Sequence, residues 1–166
     1  MMIKINLKNL VEWKSWMIKL NKLSEFKSLI DASKALNKSG AKIIALEFLD
    51  RALTMDLPFS KERIVEVYKL RGEIRFGMDD ISQSINDFSY AIEIDAQNAE
   101  LYYWRGMLYY ITNQLNESRE DLNVGVDFEP FRDLTKKLMN KLRQKPWYRI
   151  LKSLTHPCHH LIIYDM

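Results

Sequence analysis

The side chains best equipped for chemistry lie at the end of the chain. His156, Cys158, His159 and His160 bring imidazoles and a thiol together, and these are groups that zinc accepts. Structural zinc sites draw four ligands, commonly from two separated pairs, and neighbours on one short tail rarely converge on one ion. The expectation is therefore no metal and no cofactor. Nucleophilic and phosphate chemistry fare no better, because the chain lacks G-x-x-x-x-G-K, G-x-G-x-x-G, H-E-x-x-H and G-x-S-x-G. All its histidines sit in the tail, where Asp165 is the nearby acid. The paired carboxylates Asp79-Asp80 and Glu120-Asp121 fall at expected helix starts or exposed faces, where capping and the helix dipole account for them. The chain reads as a non-enzyme.

The remaining signal is architectural. With 166 residues, 47% apolar and 28% charged, the chain has the balance of one globular domain. Five glycines, four prolines and long Leu, Ile, Lys and Glu runs favour an all-α fold over sheet. The single cysteine excludes an internal disulfide, and the N-terminal residues lack the apolar run of a signal peptide. No stretch approaches the roughly 20 apolar residues of a membrane span. These features predict a soluble, cytoplasmic protein.

The net charge of +3 conceals a division. Residues 1–42 carry nine basic and three acidic side chains, 43–130 carry eight and seventeen, and 131–166 carry eight and two. Basic ends could meet nucleic acid or an anionic surface through Lys136, Lys137, Lys141, Arg143, Lys145 and Arg149. Aromatics do not interleave with that basic run, which favours a solvated helix face and makes nucleic acid the weaker reading.

Residues 1–24 predict an amphipathic helix, with Leu10, Trp13, Trp16, Met17 and Leu20 on one side and lysines on the other. Packing as a lid on the next helix is the expected fate of its tryptophans, ahead of contact with another chain. Ser24 then caps a helix over 25–38, and Ser39-Gly40 ends it. A second helix covers 41–56, ahead of Pro58. From residue 65 the pattern repeats at an offset of 34: Tyr68, Gly72, Ser84, Phe88 and Ala91 align with Tyr102, Gly106, Ser118, Leu122 and Gly125. Ser60 sits before the second unit, whose first helix should be a turn longer than its siblings. Phe131, Leu134, Leu138 and Leu142 give 131–143 an apolar side opposite Lys136, Lys137 and Lys141, as a polar outer cap requires. Pro146 breaks the chain, Trp147 to Leu154 predict a short further helix, and 155–166 form a tail.

This punctuation resembles the tetratricopeptide repeat (TPR) family. Tyr102, Gly106, Tyr109, Ser118, Gly125 and Pro130 meet its pattern in unit 99–132, and Tyr68, Gly72, Ser84 and Ala91 meet it in unit 65–98. Unit 26–59 is weaker, with Leu29, Ser33 and Leu36 where aromatic, glycine and aromatic are expected. The resemblance implies a right-handed α-solenoid of three helix-turn-helix units, with an N-terminal helix and a capping helix over 131–154. Stacking is needed because one 34-residue pair cannot offset ordering costs of roughly 1.5 kcal/mol per residue.

The resemblance further implies that the first helices line a concave groove that binds a peptide segment of another protein. The columns would be Ile30, Lys69 and Tyr103; Lys34, Glu73 and Met107; and Asn37, Phe76 and Tyr110, with Trp104 at the edge. The grading from Lys and Asn to Tyr and Met suits an apolar anchor, unless the tail folds back over it. One branch of the family holds chaperone C-terminal carboxylates in a cationic clamp. The clamp positions here are Ile30, Lys34, Leu70, Glu100 and Trp104, of which one is basic and one would repel a carboxylate, so this chain is not of that type. Bacterial secretion chaperones for translocator proteins are similar in length and layout and hold an apolar-anchored client segment. A non-catalytic adaptor, co-chaperone or scaffold is thus expected, with self-association as a further reading.

Overall fold

The computed structural model describes residues 7–55, 60–129 and 132–143, with side chains from residue 12 onward. They form seven α-helices: α1 (Leu7–Ser39), α2 (Lys42–Leu53), α3 (Lys61–Phe76), α4 (Ile81–Ile94), α5 (Ala99–Ile111), α6 (Leu115–Gly125) and α7 (Arg132–Arg143). Helices α1 with α2, α3 with α4 and α5 with α6 make three hairpin units, stacked in chain order. The solenoid expected from the sequence is present.

Each unit turns in the same way. Gly40 (φ 89°), Asp79 (φ 65°) and Asn113 (φ 63°) take the left-handed conformation after the first helix. The following amides of Ala41, Asp80 and Gln114 donate back to the carbonyls of Leu36, Arg75 and Tyr109 at 2.9, 3.0 and 2.8 Å. These bonds satisfy carbonyls that the helix end would leave open. Glycine takes this backbone at little cost, and Asp and Asn are the residues that tolerate it next best.

The seam inside each unit is equally regular. Ser84 Oγ donates to the Gly72 carbonyl and Ser118 Oγ to the Gly106 carbonyl, both at 2.8 Å. In unit one the hydroxyl stands on the other helix, and Ser33 Oγ donates to the Ala45 carbonyl at 3.1 Å. Small residues are required here because the helices touch. A Cβ on Gly72 would lie 2.9 Å from the Phe88 ring, and one on Gly125 would lie 2.8 Å from the Tyr103 backbone.

Between units, three apolar cores each borrow from the next first helix. Phe26, Leu29, Ile30, Ala45, Leu49 and Ala52 pack with Val67, Leu70 and Ile74 of α3. Val65, Phe88, Ala91 and Ile92 pack with Leu101 and Leu108 of α5. Tyr103 and Leu122 pack with Leu142 of α7, so α7 takes the place of a fourth first helix and closes the stack.

Two expectations need correction. Residues 7–39 are one helix of 33 residues, not two helices parted at Ser24. Neither Gly nor Pro interrupts that span, and an interior Ser costs a helix only about 0.5 kcal/mol. The tryptophans do not pack as a lid either: Trp13 is 55% and Trp16 57% exposed. The first helix of unit two, expected to be a turn longer than its siblings, is longer than α5, with 16 residues against 13 and extended Ser60 at its N-cap, but shorter than the 33-residue α1. The expected helix over 147–154, the tail over 155–166 and the cluster of His156, Cys158, His159 and His160 lie outside the described residues.

Candidate functional site

The side of α1, α3 and α5 turned away from α2, α4 and α6 holds most of the residues singled out from sequence. Lys34 and Lys69 anchor it. Lys34 Nζ meets Glu66 Oε1 of α3 at 2.6 Å, and Lys69 Nζ meets Glu100 Oε2 of α5 at 3.0 Å. Glu66 and Glu100 are themselves 34 residues apart, so each acid reaches back one unit to a lysine. These bridges tie neighbouring first helices along the concave face. They also neutralise its lysines.

Glu73 lies beside this ladder and is half-buried. Burial pushes its carboxyl up, the charges of Lys69 and Lys34 pull it down, Glu100 adds to the rise, and the net direction is upward. A carboxyl held above its ordinary range gains from a donor or cation supplied by a ligand. Asn37 and Phe76 are also half-buried, and Phe76 rests on the second core.

The third unit departs from expectation. Tyr103 is 1% exposed, packed edge-on to Trp104 at 5.6 Å and tilted against Phe128 at 6.2 Å. Ile30, its equivalent in unit one, is buried as well, against α3. The physical reason is the next helix: this position points at the neighbouring first helix as much as at the groove. An apolar side chain there is drawn into the core, whereas Lys69 stays partly exposed by pairing with Glu100. Trp104 is half-buried and stacked on Phe88, with ring centroids 6.2 Å apart and planes at 10°. Met107 and Tyr110 are half-buried and pack on the third core, to which α7 contributes Leu138, Met139 and Leu142. The aromatic end of the groove is therefore largely covered by the capping helix.

Sequence reasoning missed a charged network on the opposite side of the first helices. Arg71 Nε and Nη2 donate to Asp87 Oδ1 at 3.0 and 2.6 Å, Arg75 Nη1 donates to Asp87 Oδ2 at 2.8 Å, and Arg71 Nη1 also reaches Asp50 at 2.6 Å. One unit on, Arg105 Nε and Nη2 donate to Asp121 at 2.7 and 2.8 Å, and its Nη1 reaches Ser89 at 3.1 Å. The hydrogen bond to Asp121 outweighs burial and raises the Arg105 guanidinium further. Tyr102 and Tyr109 flank this guanidinium at 5.7 and 5.8 Å, which gives the seam tyrosines their role. Asp121 is thus a buried partner and not the exposed carboxylate that its Glu-Asp context suggested. The signal was present, since Arg71 and Arg105, like Asp87 and Asp121, stand 34 apart.

No protein-family model matches the chain, and no curated protein matches it significantly by sequence. Solved structures do match in fold. The chain is similar to the Arabidopsis OM64 TPR domain, with a TM-score of 0.64 and 19% identity, covering 74% of this chain and 98% of that one. It is similar to the second TPR domain of human RPAP3, solved with the HSP70 peptide SGPTIEEVD, at 0.63 and 18%, covering 75% and 99%. It is also similar to the Yersinia enterocolitica type III secretion chaperone SycD, solved with a peptide of the translocator YopD, at 0.61 and 14%, covering 70% and 91%. Among the described residues no helix is long and apolar enough to cross a membrane. With its three hairpins, repeated turns and borrowed cores, the chain has the fold of a three-unit tetratricopeptide repeat domain.

Proposed function

We propose that this chain is a non-catalytic interaction module that binds a segment of a partner protein along the concave side of α1, α3 and α5. The observation that carries the reading is the row of partly exposed polar and aromatic side chains there, Lys34, Asn37, Lys69, Glu73, Phe76 and Tyr110, on a fold whose solved relatives include peptide complexes. A partly exposed surface lined by donors, acceptors and ring edges is suited to peptide recognition, even where its lysines and rings also help to join the helices.

The module is not of the carboxylate-clamp type. A clamp needs cations available to an incoming carboxylate. Here Lys34 and Lys69 already pair with Glu66 and Glu100, and Glu100 occupies a place where a cation would be needed. The occupant should instead be held along its length.

Random 12-residue peptides displayed on phage and selected on the full chain supply a probe. Asn37→Ala with Glu73→Ala should weaken a selected peptide about fivefold or more in isothermal titration, with unchanged helical circular dichroism. Undiminished affinity would sink the groove assignment.

A further inference from the structure

The first half of α1 carries an apolar face that no described element covers. Trp13, Trp16 and Leu20 are 55%, 57% and 39% exposed, and the packed core of unit one begins only at Phe26. Glu25 pairs with Arg51 near the end of α2, so α1 projects past its partner helix before that point. The direction of this face matters. Ser33 bonds to α2 and marks the side of α1 that the second helices occupy. At about 100° per residue, Leu20 lies roughly 140° around the axis from Ser33, and Trp16 lies five full turns below Lys34, in line with it. The face thus looks toward the concave side and extends the groove beyond the repeats.

Along this line the character changes. Trp16, Leu20, Leu23 and Lys27 follow one another at three- and four-residue spacing, and Lys34 stands two turns further on, past buried Ile30 and exposed Asp31. We propose that this stripe is a docking site for an acidic, apolar segment of a partner protein, with apolar residues over Trp16 and Leu20 and carboxylates over Lys27. The proposal rests on the groove reading and names the chemistry of its occupant.

Charge favours that occupant over a second α1 or the tail. Residues 1–42 are nine basic to three acidic, so two α1 helices would bring lysines to lysines, while contact with the acidic residues 43–130 of a second copy is one outcome of the test. Residues 131–166 are eight basic to two acidic, which disfavours the chain's own tail. A bilayer surface calls for an apolar face flanked by lysines, whereas Lys27 interrupts this face on the stripe itself. Within the groove Lys34 and Lys69 pair with Glu66 and Glu100, and exposed Lys27 on the stripe adds a cation for a ligand's acids.

The same peptide selection on the full chain tests this. Selected peptides should join apolar residues to Asp or Glu. Trp16→Ala with Leu20→Ala should weaken them about tenfold or more, and Lys27→Glu should weaken them too. These residues are exposed, so circular dichroism should not change. Peptides that lose affinity in the Asn37 and Glu73 double variant but bind the Trp16 and Leu20 variant normally would overturn the stripe and leave the groove standing. Peptides insensitive to both variants would overturn both. Two other outcomes would also overturn the stripe: a dimer in light scattering that the Trp16 and Leu20 variant disperses, or binding of that face to phosphatidylcholine–phosphatidylserine vesicles with no acidic peptide selected.

Discussion

The seam between paired helices and the concave surface are built from the same six helices yet differ in one respect. At the seam the residues recur at an interval of 34: Gly72 with Gly106, Ser84 with Ser118, Arg71 with Arg105 and Asp87 with Asp121. On the concave side equivalent positions read Lys34, Glu73 and Met107, or Asn37, Phe76 and Tyr110. A close helix approach admits few side chains, so the seam repeats because packing leaves it no choice. The concave side is constrained less evenly, since Met107 and Tyr110 pack under α7 while Asn37 and Glu73 stay half-buried, and its variation leaves more room for what folding does not specify.

Substitutions can break this comparison at several points. The largest effect should come from Asp87→Ala. Its side chain is 1% exposed and receives both Arg71 and Arg75, so removal takes away the buried partner of two partly buried guanidiniums, leaving Arg71 only the exposed Asp50, and should cost about 3 kcal/mol in urea unfolding. Asp50→Ala, on the exposed side of the same network, should cost less than about 1 kcal/mol. Equal losses would mean that the network is not organised around Asp87. Next comes Gly125→Ala, whose methyl would meet backbone atoms of Tyr103 that cannot step aside, at about 1–3 kcal/mol. Ser118→Ala removes one hydroxyl hydrogen bond while the Gly106 carbonyl keeps its place in the helix, so about 1 kcal/mol is expected.

The smallest effect belongs to the concave side. Burial raises the Glu73 carboxyl, which therefore holds its proton to higher pH in the folded chain than in the unfolded one. That favours folding at acid pH, and the contribution is lost as pH rises through the folded value. Glu73→Gln should accordingly shift the urea midpoint slightly in the variant's favour at pH 7, within about 0.5 kcal/mol, with the advantage shrinking on acidification. A gain that grows toward acid pH would reverse the assignment.

Much of the fold was legible because its constraints are local and periodic. The turn at Gly40 and the Gly-Ser seam follow from residue type and spacing alone, whereas of the expected apolar side of α7 Leu138 and Leu142 pack on the core, Leu134 is exposed, and Thr135 and Met139 face inward instead. The Arg-Asp network has the same period but escaped notice because charged residues at regular spacing read as a solvated face. Tyr103 was misplaced for another reason. Spacing along α5 identifies a face but not what lies across from it, and only the stacked structure reveals α7 over that face. The unbroken α1 was hidden by Ser24, a residue that caps helices and also sits inside them at small cost. Trp13 and Trp16 were expected to pack on the next helix and are exposed, because spacing along one helix does not tell packing from exposure.

The central claim is that the concave side binds while the seam only folds, and amide hydrogen exchange of the full chain with a phage-selected peptide tests it most directly. The account predicts peptide-dependent protection in α1, α3 and α5, with little change in α2, α4 and α6. Protection concentrated in α2, α4 and α6 would contradict it.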